Sequence, residues 1–266
     1  MKLAAIYNVF DGEEILQSSI DSIRKNVDAV IVVFQQQSNF GINHIIDLYQ
    51  FLNHLKGIDY LIEYKPDLSN PAYVNEITKR VIGYQKAKSL DYTHFLYLDC
   101  DELYDEKQFV EAKLFIEKND IDSSICMYRN FYKFENLEIQ DESFYVPFIH
   151  KIKNNQIFGN VNYPVLVDFT RKCGPNNTVK IFNLEEICMK HLSWIRKDIK
   201  TKLLNSSSRH VFDNIIEDIV SYFETFSIQD KLVKLNNGLI LPEKLCKGKN
   251  ISFERVLKTR EVLNGS

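Results

Sequence analysis

Short apolar runs alternate with amphipathic helical patterns through the first hundred residues, and this alternation limits the fold more than any other feature of the sequence. Four near-continuous apolar runs, at residues 3–9, 29–35, 58–64 and 94–99, predict strands that are buried on both faces. The segments between them have a helical period and predict helices that cover the sheet. The order βαβαβαβ is typical of a parallel sheet flanked by helices.

The helical segments differ in what they expose. The first two place an apolar stripe against the sheet, at Leu16, Ile20, Ile23 and Val27 and at Ile45, Leu48, Leu52 and Leu55. A third helix, over residues 74–89, is predicted to carry Glu76, Lys79 and Arg80 on its exposed side.

The pattern changes beyond residue 123, where aromatic-rich runs predict a mixed or antiparallel extension of the sheet at 124–130, 145–152 and 163–167. Helices are predicted at 194–205 and 213–226. The fold class is therefore α/β, a mixed sheet flanked by helices, with a domain over residues 1–205 and a small helical C-terminal extension over residues 206–266.

Composition excludes several function classes. Lys and Arg number 33 against 36 Asp and Glu, a formal charge of -3, so nucleic acid is not an expected partner. The apolar runs are too short to span a membrane, and the N-terminus does not have the pattern of a secretory signal. The five cysteines form no Cys-x-x-Cys pair, which indicates reduced thiols. A cytoplasmic location is expected. The basic tail over residues 242–266 suits contact with anionic lipid at the inner face of the membrane, and an ordinary solvated surface is the alternative.

The fourth predicted strand ends in Asp99, Cys100, Asp101 and Glu102. Ligands in open α/β sheets bind beyond the carboxyl ends of the strands, and side chains two apart on an extended chain face the same way. Two neighbouring carboxylates repel each other unless a cation lies beside them, and Mg²⁺ or Mn²⁺ would serve. An ordinary acidic turn is the alternative.

Other nucleotide-binding and hydrolytic signatures are missing from the sequence. The segment after the first strand has one glycine, Gly12, where a dinucleotide-binding turn needs three, and no Gly-x-x-x-x-Gly-Lys occurs. Neither Gly-x-Ser-x-Gly nor His-Glu-x-x-His is present. Rossmann dehydrogenase, P-loop, esterase and zinc-protease functions are therefore not supported.

Four segments together resemble glycosyltransferases of the GT-A fold, especially bacterial family 2-like enzymes: Tyr7-Asn8, residues 75–80, residues 99–102 and residues 191–198. The resemblance implies a nucleotide-diphosphate sugar bound with a divalent ion, and a UDP-sugar is the expected donor. It implies that Asp99 lies near the ribose and that Asp101 binds the metal, with Asp99 beside it. It also implies a saccharide or lipid-linked saccharide acceptor and a role in cell-surface polysaccharide biosynthesis.

The second strand departs from the family pattern, because it ends in Gln35-Gln36-Gln37-Ser38 where many family 2 members carry an acidic cluster that helps to bind the base. By position, Asn8, Gln36 and Ser38 are expected to present amide or hydroxyl groups to a uracil edge, and a polar surface loop is an equal alternative. Lys79 and Arg80 are expected to meet the diphosphate. Their alternative is an exposed helix salt bridge with Glu76.

Segment 191–198 supplies the remaining binding residues. His191 is the expected third metal ligand, which favours Mn²⁺ over Mg²⁺ because imidazole suits transition ions. Arg196 and Lys197 are expected to contact the diphosphate. A lone structural histidine on an ordinary basic surface is the alternative.

The catalytic base is the weakest part of the pattern. Asp168 is the candidate because it ends the apolar run 163–167, with Asp141 and Glu142 behind it; a structural cap is the alternative for Asp168. The sequence thus predicts a metal-dependent hexosyltransferase. A nucleotidyltransferase acting on a sugar phosphate and a non-catalytic binding protein on the same fold remain alternatives.

Overall fold

The computed structural model describes residues 1–141, 144–236 and 239–262. The strands in chain order are β1 (Leu3–Val9), β2 (Ala29–Phe34), β3 (Tyr60–Glu63), β4 (His94–Asp99), β5 (Glu102–Tyr104), β6 (Ser123–Tyr132), β7 (Leu137–Gln140), β8 (Tyr145–Lys151), β9 (Ile157–Phe158), β10 (Cys173–Gly174), β11 (Val179–Phe182), β12 (Cys188–Trp194), β13 (Leu232–Lys234), β14 (Ile240–Pro242), β15 (Arg255–Val256) and β16 (Lys258–Glu261). The α-helices are α1 (Glu13–Ile23), α2 (Leu48–His54), α3 (Ala72–Ser89), α4 (Glu106–Lys118), α5 (Ile199–Asn205), α6 (Ile216–Thr225) and α7 (Glu243–Gly248).

These elements form two compact units. The first comprises Met1–Tyr128 with Ser143–Lys190, and the second comprises Arg129–Glu142 with His191–Ser266. The sequence instead placed a boundary after residue 205. The difference arises because each unit joins segments that are far apart along the chain, which a linear pattern does not reveal.

The first unit contains a mixed sheet. Strands β3, β2, β1 and β4 are parallel neighbours in that order. Strand β8 then pairs antiparallel with β4, β6 antiparallel with β8, and β11 parallel with β6. The predicted α/β class with a mixed sheet and flanking helices is confirmed.

Strand β1 lies between β2 and β4 in the sheet, and every residue in it is buried. Alternate side chains enter two separate cores, as the two-residue period of a strand requires. Leu3 and Tyr7 pack with residues of α1 such as Leu16, whereas Ile6 packs with Tyr84 of α3. Each large side chain buried in this way contributes about 1.5–3 kcal/mol. The two cores fix α1 and α3 on opposite faces of the sheet.

The strand order creates a switch point beside β1. Successive connections lead from β1 to β2 and β3 on one side, and the chain then crosses to β4 on the other side. The register of β1 and β4 places Asn8 directly opposite Asp99 at their carboxyl ends. A switch point of this kind is where open α/β sheets form a ligand-binding crevice.

Helix α2 is shorter than its apolar stripe predicted. Its first residue is Leu48, because the carboxylate of Asp47 accepts a hydrogen bond from the Gln50 amide and caps the helix there. Ile45 precedes the cap and is 94% exposed, so its assignment to a buried stripe was wrong. Leu48 and Leu52 are buried as predicted.

Three other predictions are corrected. Lys79 and Arg80 are buried, not exposed, because α3 contacts both the sheet and the short 3₁₀ turn Phe169–Arg171. Residues 163–167 form no strand. The predicted helix at 194–205 begins only at Ile199, since Trp194 ends strand β12.

The second unit contains sheet as well as helix. Strand β7 pairs with the end of β6 and with β16, and β13 pairs with β14 and β15. Tyr132 and Trp194 lie against Phe223 in an aromatic cluster that packs α6. No helix within the described ranges is long and apolar enough to cross a membrane.

Gly83 sets the distance between α3 and β1. A Cβ atom at this position would lie 2.2 Å from Cγ2 of Ile6. Gly83→Ala is therefore expected to lower the free energy of unfolding by about 1–3 kcal/mol, despite the better helix propensity of alanine. Urea denaturation measures the change. Gly248→Ala is the matched control, since its nearest new neighbour is Tyr222 Oη at 3.7 Å; an equal loss in both variants would contradict the packing argument.

The burial of His150 makes the stability of the folded protein depend on pH. It is buried beside Phe95, its Nδ1 lies 2.8 Å from Ser123 Oγ, and burial lowers its pKa to about 3. The unfolded chain therefore binds a proton near its ordinary pKa while the folded chain does not, and stability falls as the pH drops below about 6.5.

A His150→Gln variant isolates this effect. Between pH 7 and pH 5, the wild type is expected to lose about 2 kcal/mol more unfolding free energy than the variant, since one proton contributes about 1.4 kcal/mol per pH unit. Urea titrations at both pH values measure the difference. The same pH dependence in both proteins would contradict the buried neutral state.

Candidate functional site

Two arginines hold the carboxylate of Asp99 at the carboxyl end of β4. Arg80 Nη2 donates to Asp99 Oδ1 at 3.2 Å, and Arg171 Nη2 donates to Asp99 Oδ2. The same Arg171 guanidinium donates to both carboxylate oxygens of Glu102, with Nη1 3.0 Å from Oε2. Both guanidinium side chains are buried, whereas the Asp99 side chain is 38% exposed. Asp99 is thus the accessible member of a buried ionic network.

The network fixes the charge of Asp99. Burial alone would raise the pKa of this carboxyl, but the guanidinium groups of Arg171 and Arg80 outweigh burial and hold the pKa well below its usual range. Glu102 behaves differently, because its deeper burial raises its pKa although Arg171 opposes the change. Asp99 therefore remains ionised at neutral pH and accepts hydrogen bonds only.

Helix α3 supplies the second layer of the site. The Arg80 guanidinium lies 5.6 Å from the centre of the Tyr97 ring, a cation–π distance, and its Nε and Nη1 are buried without a hydrogen-bond partner among the residues described. Burial lowers the pKa of Lys79, and the neighbouring Glu76 opposes that shift. Burial also raises the pKa of Glu76. Cationic groups and a carboxylate therefore lie close together beside Asp99.

Asn8 lies across from Asp99 on β1. Its Nδ2 donates to the backbone oxygen of Glu76 at 3.4 Å, and its Oδ1 is buried with no hydrogen-bond partner in the described part of the chain. A buried acceptor left unpaired costs about 1–3 kcal/mol, so a ligand group that donates to it would offset that cost. The position of Asn8 at the switch point and its unpaired oxygen both indicate a candidate site at this edge of the sheet.

Asp168 shapes the turn that carries Arg171. Its carboxylate accepts hydrogen bonds from the Thr170 amide and the Thr170 hydroxyl, both at 2.9 Å. It therefore caps a 3₁₀ turn and does not end a strand, which corrects the sequence interpretation. Its charge still acts on Glu76 and Arg171, so it lies near the same cluster. Its role as a base remains a prediction.

Sequence reasoning missed Arg171 altogether. The partner of Asp99 lies 72 residues further along the chain, outside any motif. A buried carboxylate pair signals that some cationic partner is needed, but the chain has 33 Lys and Arg to choose from. Glu102 belonged to the quoted motif but had no role assigned to it.

Gln36 and Ser38 already have partners in their own loop. The Gln36 amide donates to the Ile46 backbone oxygen at 2.6 Å and accepts from the Leu48 amide at 2.9 Å. Ser38 Oγ accepts from the backbone amides at 40 and 42. These contacts shape the loop after β2, and contact with a nucleotide base remains a prediction.

The remaining predicted residues belong to the second unit. His191, Arg196 and Lys197 belong to the second unit, where His191 Nδ1 lies 2.7 Å from Asn130 Oδ1. Asp141, also in the second unit, accepts from Arg255 Nη2 at 2.7 Å. Glu142 is outside the described residues.

The predicted metal ligands do not form a metal site as arranged. Both carboxylate oxygens of Asp99 accept from guanidinium groups, and Asp101 is buried. Across the residues that the structure describes, no group of three or more His, Cys, Asp or Glu side chains is placed to hold an ion. The donor set therefore does not fit the Mn²⁺ or Mg²⁺ that the resemblance implies.

A separate cavity lies at the carboxyl ends of β2 and β3. Its volume is about 510 Å³. Its walls are Phe34, Gln36, His44, Ile45, Ile46, Asp47, Tyr49 and Glu63. It shares none of the residues of the ionic network, so the two places can be distinguished by experiment.

No protein-family model and no curated protein matches the chain. Among solved structures, S. aureus TarS 1-349, alone and in complex with UDP, is 13% identical over 85% of this chain and 73% of that chain, with a TM-score of 0.46. A mycobacterial protein is 11% identical over 48% of this chain and 41% of that chain, with a TM-score of 0.31. Similarity at this level assigns no activity to the chain.

Proposed function

We propose that this protein is a glycosyltransferase that moves a hexose-type sugar from a nucleotide-diphosphate donor, a UDP-sugar, to a hydroxyl acceptor in cell-surface glycan synthesis. One observation carries the proposal: Asn8 and Asp99 lie side by side at the carboxyl ends of β1 and β4, at the switch point of the parallel strands. The motif resemblance of the sequence supports the same site.

The charges of the site suit donor binding. Asp99, ionised and partly exposed, accepts hydrogen bonds from the ribose hydroxyls of the nucleotide. Arg80 and Arg171 keep that carboxylate in place, and Lys79 adds a third cationic group nearby. Fixed positive charge beside the departing diphosphate stabilises the negative charge that builds up there in the transition state.

Transfer also requires removal of a proton from the acceptor. The acceptor oxygen attacks the anomeric carbon, the bond to the diphosphate oxygen breaks, and the hydroxyl proton passes to a base. Asp168 is our candidate for this role because its carboxylate is exposed and belongs to the same electrostatic cluster. The Asp168→Asn variant tests this role through the rate of transfer. Its side-chain amide oxygen can still accept the hydrogen bond from the Thr170 backbone amide, so the turn is expected to persist.

The proposal is tested with a panel of nucleotide sugars in a thermal-shift assay, followed by detection of the released nucleoside diphosphate. A ligand at 100 times its dissociation constant adds about 2.7 kcal/mol to stability, which raises the melting temperature measurably. Release of a nucleoside diphosphate from a UDP-sugar would support the proposal. Release of pyrophosphate from a nucleoside triphosphate would indicate a nucleotidyltransferase instead, and no shift with any donor would indicate a non-catalytic binding protein.

A further inference from the structure

We infer that Arg171 performs the task that the sequence assigns to a divalent ion: its guanidinium neutralises and orients Asp99, so the protein binds the donor diphosphate without metal. The inference rests on the proposed function, because it concerns the same site. Arg171 is a positioning residue, since it acts through Asp99.

Guanidinium groups already engage the carboxylate oxygens of this site. The carboxylates of Asp99 and Glu102 face the guanidinium groups of Arg80 and Arg171. Each carboxylate oxygen of this pair accepts from a guanidinium. Further charged groups of both signs act on the same cluster: Lys79, Glu76, Asp101 and Asp168. A divalent ion at Asp99 would have to compete with the hydrogen bonds from the guanidinium groups.

The guanidinium is held firmly where it acts. The turn that carries Arg171 is closed by the hydrogen bond from the Arg171 amide to the Asp168 backbone oxygen, at 3.1 Å, and is capped by the Asp168 carboxylate. Arg171 itself is 4% exposed. The Arg171 fork donates two parallel hydrogen bonds to Glu102, and its Nη2 also donates to Asp99, so one fixed guanidinium orients both carboxylates.

The network also differs from an ordinary structural ion pair. In an ordinary surface pair such as Arg24–Asp59, both side chains are about one third exposed. Here the guanidinium groups are buried beneath Asp99, and the side chain of Asp99 is the part that solvent and ligand reach. This arrangement prepares one carboxylate for contact with a ligand.

The first test measures UDP binding to the wild-type protein by calorimetry, once in excess EDTA and once with MnCl₂. The inference predicts dissociation constants that agree within about threefold. Binding that weakens by more than about tenfold in EDTA would overturn the inference and leave the proposed function intact. If UDP and a UDP-hexose fail to bind in either buffer, the proposed function fails and the inference fails with it.

The second test uses Arg171→Met, which leaves Asp99 and Glu102 without their shared guanidinium. MnCl₂ is expected to raise the melting temperature of this variant, whereas the wild type and Arg171→Lys, which retains the positive charge, should not respond. A purely structural arginine would not create this new response to metal. No response in the variant, or an equal response in the wild type, would contradict the inference. Should Arg171→Met fail to fold, the EDTA comparison on the wild type decides alone.

Discussion

Arg171→Met is expected to lower the free energy of unfolding by about 3–5 kcal/mol, the range found when one partner of a buried ion pair is removed. Arg171 is buried and contacts two carboxylates, one of which, Glu102, is 2% exposed. The methionine side chain fills similar space but donates no hydrogen bond. Glu102 would then have to remain ionised without a partner or become protonated, and either state costs stability. Urea denaturation at neutral pH measures the loss.

Arg24→Met is the matched control. Arg24 also forms an ion pair, 3.3 Å from Asp59, but both side chains are about one third exposed. Surface pairs of this kind contribute about 0–1 kcal/mol because solvent screens them. A loss from Arg171→Met no larger than that from Arg24→Met would show that the network does not contribute to the fold as its burial implies.

Asp99→Asn is expected to reduce kcat/KM for sugar transfer by about 10²–10³-fold while the protein stays folded. Asparagine has nearly the same shape, but its amide nitrogen cannot accept a hydrogen bond, so only one of the hydrogen bonds from Arg80 and Arg171 can persist, and the charge is lost. A neutral amide accepts hydrogen bonds from the ribose hydroxyls less strongly than a carboxylate does. It also leaves the positive charge of the neighbouring guanidinium groups unbalanced. A nucleotide-release assay measures the rate, and circular dichroism verifies the fold.

The control for this variant is Asp213→Asn. Asp213 pairs with Arg209 at 2.7 Å on an exposed helical segment and has no place in the proposed site. Its removal is expected to leave transfer unchanged. If Asp99→Asn retained wild-type kcat/KM, Asp99 would have no role in donor binding, whatever the effect of the control.

The central strands were predictable because each of them coincides with a local run of apolar residues. Strands β1 and β4 begin and end where their apolar runs do, and β2 is one residue shorter than predicted. Parallel strands covered on both faces need apolar residues at every position, so their pattern is unambiguous. Run 163–167 is equally apolar but forms no strand, because short apolar runs do not by themselves specify pairing.

The site was predictable only in part, because local sequence patterns do not specify contacts between distant segments. Asn8 and Asp99 end strands that the pattern identifies, and the strand order brings them together. Lys79 and Arg80 were expected to be exposed but are buried. The helical period of α3 indicates which face packs on the sheet, but it does not indicate that the turn Phe169–Arg171 covers another part of the helix. Arg171 depends on a turn far along the chain, and local spacing carries no information about such a contact.

A crystal structure of the wild-type protein with UDP, grown in the presence of EDTA, tests the central claim most directly. The account predicts the nucleotide in the crevice at the carboxyl ends of β1 and β4, with the ribose within hydrogen-bonding distance of the Asp99 carboxylate and with Arg171 still joining Asp99 to Glu102. UDP bound in the cavity at the ends of β2 and β3, with Asp99 facing solvent, would contradict it.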